Sequence, residues 1–78
     1  MNDDLVLYYR PTCPYCMRVL SWLSEHGADI AKRDIGTDPA ARETLCSVGG
    51  KLQVPCLFIK GRPLYESEDI IAYLSKHI

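Results

Sequence analysis

Two cysteines, Cys13 and Cys16, stand two residues apart where a strand pattern gives way to a helical one, and this junction limits most strongly what the chain can fold into. Ahead of it runs Leu5-Val6-Leu7-Tyr8-Tyr9. That apolar, aromatic run reads as a strand from about residue 4 to 9, covered on both faces. From Pro14 the period changes. Cys16, Val19, Leu20 and Leu23 recur at i, i+3, i+4 and i+7, the stripe of an amphipathic helix. Pro14 suits the first helical turn, where its missing N–H costs nothing, and Gly27 suits the end. The same pattern separates the sulfurs. Cys13 lies at the helix start, near free N–H groups and the positive end of the dipole, with Arg10 three residues upstream as a further cation. Cys16 lies on the apolar stripe and faces inward. Position alone therefore makes Cys13 the attacking thiolate and Cys16 the thiol that resolves a mixed disulfide. The blander reading, two structural thiols that fall close together by chance, is disfavoured because a buried structural cysteine gains nothing from a second at this spacing.

The totals narrow the class. A chain of 78 residues reads as a single domain over residues 1–78, with 47% apolar residues. It buries about 60% of its unfolded surface, so its core is modest. Nine basic and ten acidic residues leave a formal charge of −1, which provides no field for a nucleic acid. The acidic start Met1-Asn2-Asp3-Asp4 lacks the basic flank and apolar stretch of an export signal, and no apolar run matches a membrane span. The expected location is the cytoplasm, with no membrane partner and a monomeric chain. Cytosolic placement turns the four cysteines (13, 16, 46 and 56) away from structural disulfides and towards redox chemistry. Zinc is the competing use of such a pair, but Cys46 and Cys56 are ten positions apart and His26 and His77 are isolated, so no metal is expected.

The remaining chain reads in order. Residues 28–35 suggest a second strand. Asp38-Pro39 caps and opens a helix with Ala41, Leu45 and Val48 on one face, stopping at Gly49-Gly50. Residues 54–59 suggest a third strand opened by Pro55, a candidate for a cis peptide bond. Gly61-Arg62-Pro63 reads as a turn into a short fourth strand at Leu64-Tyr65. Ser67 reads as the N-cap of a last helix, with Glu68 and Asp69 in its first turn and Ile70, Ile71, Leu74 and Ile78 on its apolar face. Trp22, Tyr8 and Tyr73 read as packing, and Lys32-Arg33 as an exposed strand end. Cys56 reads as a small buried apolar residue and Cys46 as an exposed thiol. The order is β-α-β-α-β-β-α, with a parallel pair from the first crossover and an antiparallel edge after Pro55.

Cys13-Pro14-Tyr15-Cys16, Val54-Pro55 and Ser67-Glu68-Asp69, at these separations, resemble the glutaredoxin family over nearly the whole chain. The resemblance implies a thioredoxin-like fold, a four-stranded mixed sheet flanked by three helices. It also implies a glutathione-dependent thiol–disulfide oxidoreductase that acts on protein–glutathione mixed disulfides and protein disulfides. By the same resemblance Val54, after Gln53 and before Pro55, pairs with the cysteine backbone of glutathione. The N–H of Glu68 and the Ser67 hydroxyl take its α-carboxylate, the Glu68 carboxylate takes its amine, and Tyr15 flanks its sulfur. Arg10 is a candidate for its glycyl carboxylate. Gln53 stands where the family most often has threonine, Glu66 where it often has glycine, and Glu68 where aspartate is usual. The run from Leu64 to Leu74 is also similar to the N-terminal domain of glutathione transferases, in which the Glu66–Ser67 pair would hold the γ-glutamyl group. Three rivals stand beside this reading. They are a redoxin recharged by thioredoxin reductase that serves ribonucleotide reductase, an iron–sulfur cluster carrier, and a module that only binds glutathione.

Overall fold

The computed structural model describes residues 4–77. Its elements follow the expected order: β1 (Leu5–Tyr9), α1 (Pro14–Glu25), β2 (Ala31–Asp34), α2 (Pro39–Gly49), β3 (Cys56–Ile59), β4 (Arg62–Tyr65) and α3 (Ser67–His77). The four strands form one mixed sheet in the order β2-β1-β3-β4. β1 pairs in parallel with β2 and antiparallel with β3, and β3 pairs antiparallel with β4. This is a thioredoxin-like arrangement. No described helix is long and apolar enough to cross a membrane.

The central strands are apolar without a break because both sheet faces are covered. Leu5 and Leu7 of β1 and Leu57 of β3 pack with Val19 and Leu23 of α1 and with Ile70 and Leu74 of α3. On the other face Tyr8, Cys56 and Phe58 pack with Ala41 and Leu45 of α2. The Tyr8 and Phe58 rings lie 4.7 Å apart between centroids. Trp22 and Tyr73 are half-buried, each stacked on a histidine one turn along its helix.

Several boundaries differ from the sequence expectation, each for a local reason. β2 is four residues long rather than spanning 28–35, and Ile30 and Ile35 flank it, buried on opposite faces of the sheet. Arg33 is not a free strand end. It lies over the Tyr8 ring and donates to the Tyr8 hydroxyl at 3.1 Å and to Asp38 at 3.2 Å. β3 begins at Cys56, after the Val54–Pro55 peptide, which is cis as the sequence suggested. The hairpin turn is Lys60-Gly61, with φ of 51° and 82°, the paired positive angles that match strand twist. Arg62 and Pro63 therefore belong to β4, a sheet edge that tolerates proline. Val48 is 55% exposed, since α2 ends one residue later and only Ala41 and Leu45 reach the sheet. Asp38 caps α2 as expected, accepting from the N–H groups of Ala40 and Ala41. Ile78 lies outside the described residues.

The end of α2 is tied to the edge strand by Tyr65, whose hydroxyl donates to the carbonyls of Gly49 at 2.9 Å and Lys51 at 3.2 Å. A Cβ on Gly49 would lie 2.5 Å from that oxygen. Glycine inside a helix costs about 1 kcal/mol relative to alanine, so Gly49→Ala would ordinarily stabilise. Here it displaces a doubly bonded hydroxyl, a loss of about 1–2 kcal/mol. Urea unfolding should therefore show Gly49→Ala as destabilising in the wild-type chain and as neutral or stabilising with Tyr65→Phe. A stabilising Gly49→Ala in the wild-type chain would refute this account of the clamp.

Candidate active site

The site begins with the way α1 starts. Cys13 is its N-cap, with extended backbone at φ −88° and ψ 122°, and its carbonyl accepts the Met17 N–H at 3.0 Å. An N-cap side chain sits among helical N–H groups that lack backbone partners. Here that side chain is a thiol. Burial pulls the Cys13 thiol up, but the N–H of Cys16, the Cys16 thiol, the N–H of Tyr15 and the charge of Arg10 together outweigh it. Its pKa therefore falls below the usual 9.0. The thiol is half-buried, and its Sγ lies 3.9 Å from the Val54 carbonyl.

Cys16, one turn into the helix, is fully buried. Burial pushes its thiol up to about 12, although the Arg10 N–H donates to its Sγ at 3.4 Å and offsets part of the rise. A charge on Cys13 raises it further. The two sulfurs therefore differ in access, as the helical stripe predicted, and their pKa values move in opposite directions. Such a pair can place one thiolate on an incoming sulfur and hold a neutral thiol in reserve.

Beside Cys13 runs a groove of about 600 Å³. Gln53, Val54 and Pro55 line it on one segment, and Glu66, Ser67, Glu68 and Asp69 at the start of α3 on another. Tyr15 and Arg18 close it on the α1 side, with Tyr15 61% exposed. The groove thus gathers seven of the expected site residues: Tyr15, Gln53, Val54, Pro55, Glu66, Ser67 and Glu68. Gln53 bridges the two segments by donating from Nε2 to Glu66 Oε1 at 3.0 Å. Glu66 adopts φ 72°, in the left-handed region.

Three placements differ from expectation. Arg10 is exposed and lies outside the groove, so it faces the sulfurs through charge and backbone rather than the groove through its side chain. Arg18 supplies the cation that lines the groove. Its sequence signal was the spacing from Tyr15, three residues on and therefore on the same helical face. Ser67 is not the N-cap. The Ile70 N–H bonds the Glu66 carbonyl at 3.0 Å, which makes Glu66 the cap and Ser67 the first helical residue, buried at 5% exposure. Asp69 joins Glu68 in lining the groove.

The other thiols divide as the sequence suggested. Cys56 is fully buried, and burial pushes its thiol up to about 11 beside the Tyr65 hydroxyl. Cys46 is exposed. Among the described residues no group of three His, Cys, Asp or Glu side chains is placed to share a metal ion.

The model of the family described as Glutaredoxin matches residues 5–64. Glutaredoxin 3 of Escherichia coli (strain K12) is 32% identical over 69 residues, 88% of this chain and 83% of that protein. A probable glutaredoxin of Synechocystis, ssr2061, is 34% identical over 73 residues, 92% of this chain and 83% of that one. Among solved structures, glutathione transferase Omega 3C from Trametes versicolor superposes with a TM-score of 0.79 at 27% identity, covering 99% of this chain and 34% of the transferase.

The lowered Cys13 pKa sets a direction for pH. As pH falls, its thiolate persists below the point at which an ordinary thiol is protonated. In a reduced Cys46→Ser chain, iodoacetamide should label Cys13 alone, with a rate midpoint below pH 9.0. Cys16 and Cys56 should stay unlabelled until the protein unfolds. Equal labelling of Cys13 and Cys16 in the folded chain would contradict the asymmetry.

Proposed function

Because this chain belongs to the glutaredoxin family, a family of thiol–disulfide oxidoreductases, we propose that glutathione is the thiol that serves its dithiol. The observation that carries this reading is the groove itself. It brings together Val54, whose carbonyl lies 3.9 Å from the low-pKa sulfur of Cys13, and the N-terminus of α3. Glutathione offers a matching series: a cysteine with backbone amides on both sides, a γ-glutamyl end with an amine and a carboxylate, and a glycyl carboxylate.

The Cys13 thiolate attacks the glutathione sulfur of a protein–glutathione mixed disulfide. A Cys13–glutathione bond forms, the old S–S bond breaks, and the protein leaves as a thiolate that takes a proton from solvent. A second glutathione thiolate attacks the glutathione sulfur held by Cys13, releasing oxidised glutathione and the Cys13 thiolate. With a protein disulfide, Cys13 forms a mixed disulfide with one protein sulfur. Cys16 loses its proton, attacks the Cys13 sulfur and leaves a Cys13–Cys16 bridge, so two electrons have passed to the substrate. The high pKa of Cys16 keeps it neutral until that step. Two glutathiones then reduce the bridge, since glutaredoxin potentials of roughly −200 to −230 mV lie within reach of the glutathione pool.

In the groove, Val54 presents backbone groups to the cysteinyl residue in the manner of β-augmentation. The α3 N-terminus with Ser67 receives the γ-glutamyl carboxylate. Glu68 and Glu66 face the amine. Arg18, rather than Arg10, receives the glycyl carboxylate. Tyr15 covers the sulfur. The protein acts as a monomer in the cytoplasm on glutathionylated and disulfide-bearing proteins.

A glutathione-coupled assay with glutathione reductase checks this reading. Cys13→Ser should abolish turnover, while Cys16→Ser keeps deglutathionylation and loses reduction of protein disulfides. Arg18→Ala should raise KM for the glutathionylated substrate about five- to tenfold, the loss of a charge-assisted contact of about 1–1.4 kcal/mol. Turnover by Cys13→Ser, or turnover supported by thioredoxin reductase but not by glutathione, would overturn it.

A further inference from the structure

A second, shallower groove of about 380 Å³ runs along the outer side of α1. Pro14, Met17, Ser21 and Trp22 line it from the helix, and Ile71 of α3 forms its far side. It starts at the residue next to the reactive cysteine. Arg18 borders both grooves, so the two are separated by one side chain. Met17 is 45% exposed, and Trp22 is half-buried. An exposed methionine and a half-buried aromatic ring lining the same groove give an adaptable apolar surface. Nothing in the oxidoreductase chemistry of the first groove uses it.

The charges along this groove are ordered. Arg18 stands near the Cys13 end, and Glu25 stands at the far end, seven residues further along the helix. At ~1.5 Å per helical residue, the strip from Pro14 to Glu25 is about 16 Å long, and Arg18 and Glu25 are about 10 Å apart along it. An extended chain advances ~3.3 Å per residue, so the strip accommodates about five residues, with its two charges facing positions about three apart. One cation and one anion match neither a polyanion nor an anionic membrane surface. They match a polypeptide with an ordered pair of opposite charges.

We infer that this α1 groove docks the polypeptide half of the disulfide substrate, as an extended segment with an acidic residue near its cysteine and a basic residue about three positions beyond. The inference rests on the oxidoreductase reading for its context and on the second groove for its content. Met17, Trp22 and Ile71 take the apolar residue between the two charges. Arg18, shared between the two grooves, faces the acidic residue as well as the glycyl carboxylate, and Glu25 faces the basic one. Small disulfides do not reach this surface, so it sorts protein substrates without affecting the chemistry at Cys13.

Two readouts test it. The first uses glutathionylated peptides in the glutathione-coupled assay, with charges complementary to Arg18 and Glu25 or reversed, each made in both chain directions. Bis(2-hydroxyethyl) disulfide serves as the small substrate. The better complementary peptide should exceed its reversed counterpart about tenfold in kcat/KM. Met17→Glu should lower its kcat/KM at least fivefold, Glu25→Lys should erase the preference, and both should leave the small disulfide within twofold of wild type. Equal rates for the two charge orders, or parallel losses on the small disulfide, would overturn the proposal.

The second readout needs no turnover. Trp22 is the only tryptophan in the chain. In a Cys13→Ser protein, a peptide with serine in place of its cysteine should shift Trp22 emission saturably, at least fivefold tighter for the complementary charge order. Equal binding of the two orders would overturn the docking surface even in an active enzyme. A protein that discriminates the peptides in this way yet reduces nothing with glutathione would support the surface and sink the glutathione reading instead.

Discussion

The Arg10 N–H, which donates to a buried sulfur, and the Cys13 carbonyl, which opens the first helical bond, together set where α1 begins. Much else follows from that starting point. If the helix began one residue later, Cys13 would leave the N-cap and its sulfur would lose the N–H groups of Tyr15 and Cys16. Cys16 would rotate off the apolar stripe by about 100° and out of the core. The difference between a lowered thiol and one near 12 is therefore a property of helix register rather than of either cysteine alone. Placing β1 between a parallel and an antiparallel neighbour holds that register, because its own residues are buried on both faces.

The residues visible in the sequence were those whose role is periodic. The stripe of Cys16, Val19 and Leu23 mapped onto one side of the sheet, and the unbroken apolar run of β1 onto a strand covered on both. Lone functional side chains were harder to read. Arg18 looks like any solvated cation on the polar side of a helix, and only the approach of α3 and the Val54 loop turns it into a groove residue. Arg10, nearer to the cysteines in sequence, attracted attention that its place outside the groove does not repay, whereas Arg18 lines it. Ser67 looked like a cap because serine before two acids is the usual cap signature. The left-handed Glu66 takes that place because the chain must turn sharply from β4 into α3, and no local pattern announces such a bend at a glutamate.

The strand boundaries moved for a related reason. Ile30 and Ile35 both read as strand residues, yet each is buried just beyond an end of β2, past the last paired residue, although the Ile35 N–H still bonds the Tyr9 carbonyl of β1 at 3.0 Å. Apolar content marks burial, and burial outlasts the ladder. Arg33 shows the converse. Its charge suggested solvent, whereas the Tyr8 ring and hydroxyl and Asp38 give it partners on two neighbouring elements.

The backbone of Glu66 has an evolutionary consequence. A glutamate at φ 72° sits in a conformation that disfavours side chains by about 1–2 kcal/mol and that glycine adopts freely. Its carboxylate, held by Gln53 at the groove, is the visible return for that conformation. Laboratory evolution for heat tolerance alone would therefore drift towards glycine at position 66. The survivors would be sturdier proteins without the Gln53–Glu66 link at the cleft, and a lineage that keeps glutamate there records selection on something other than stability.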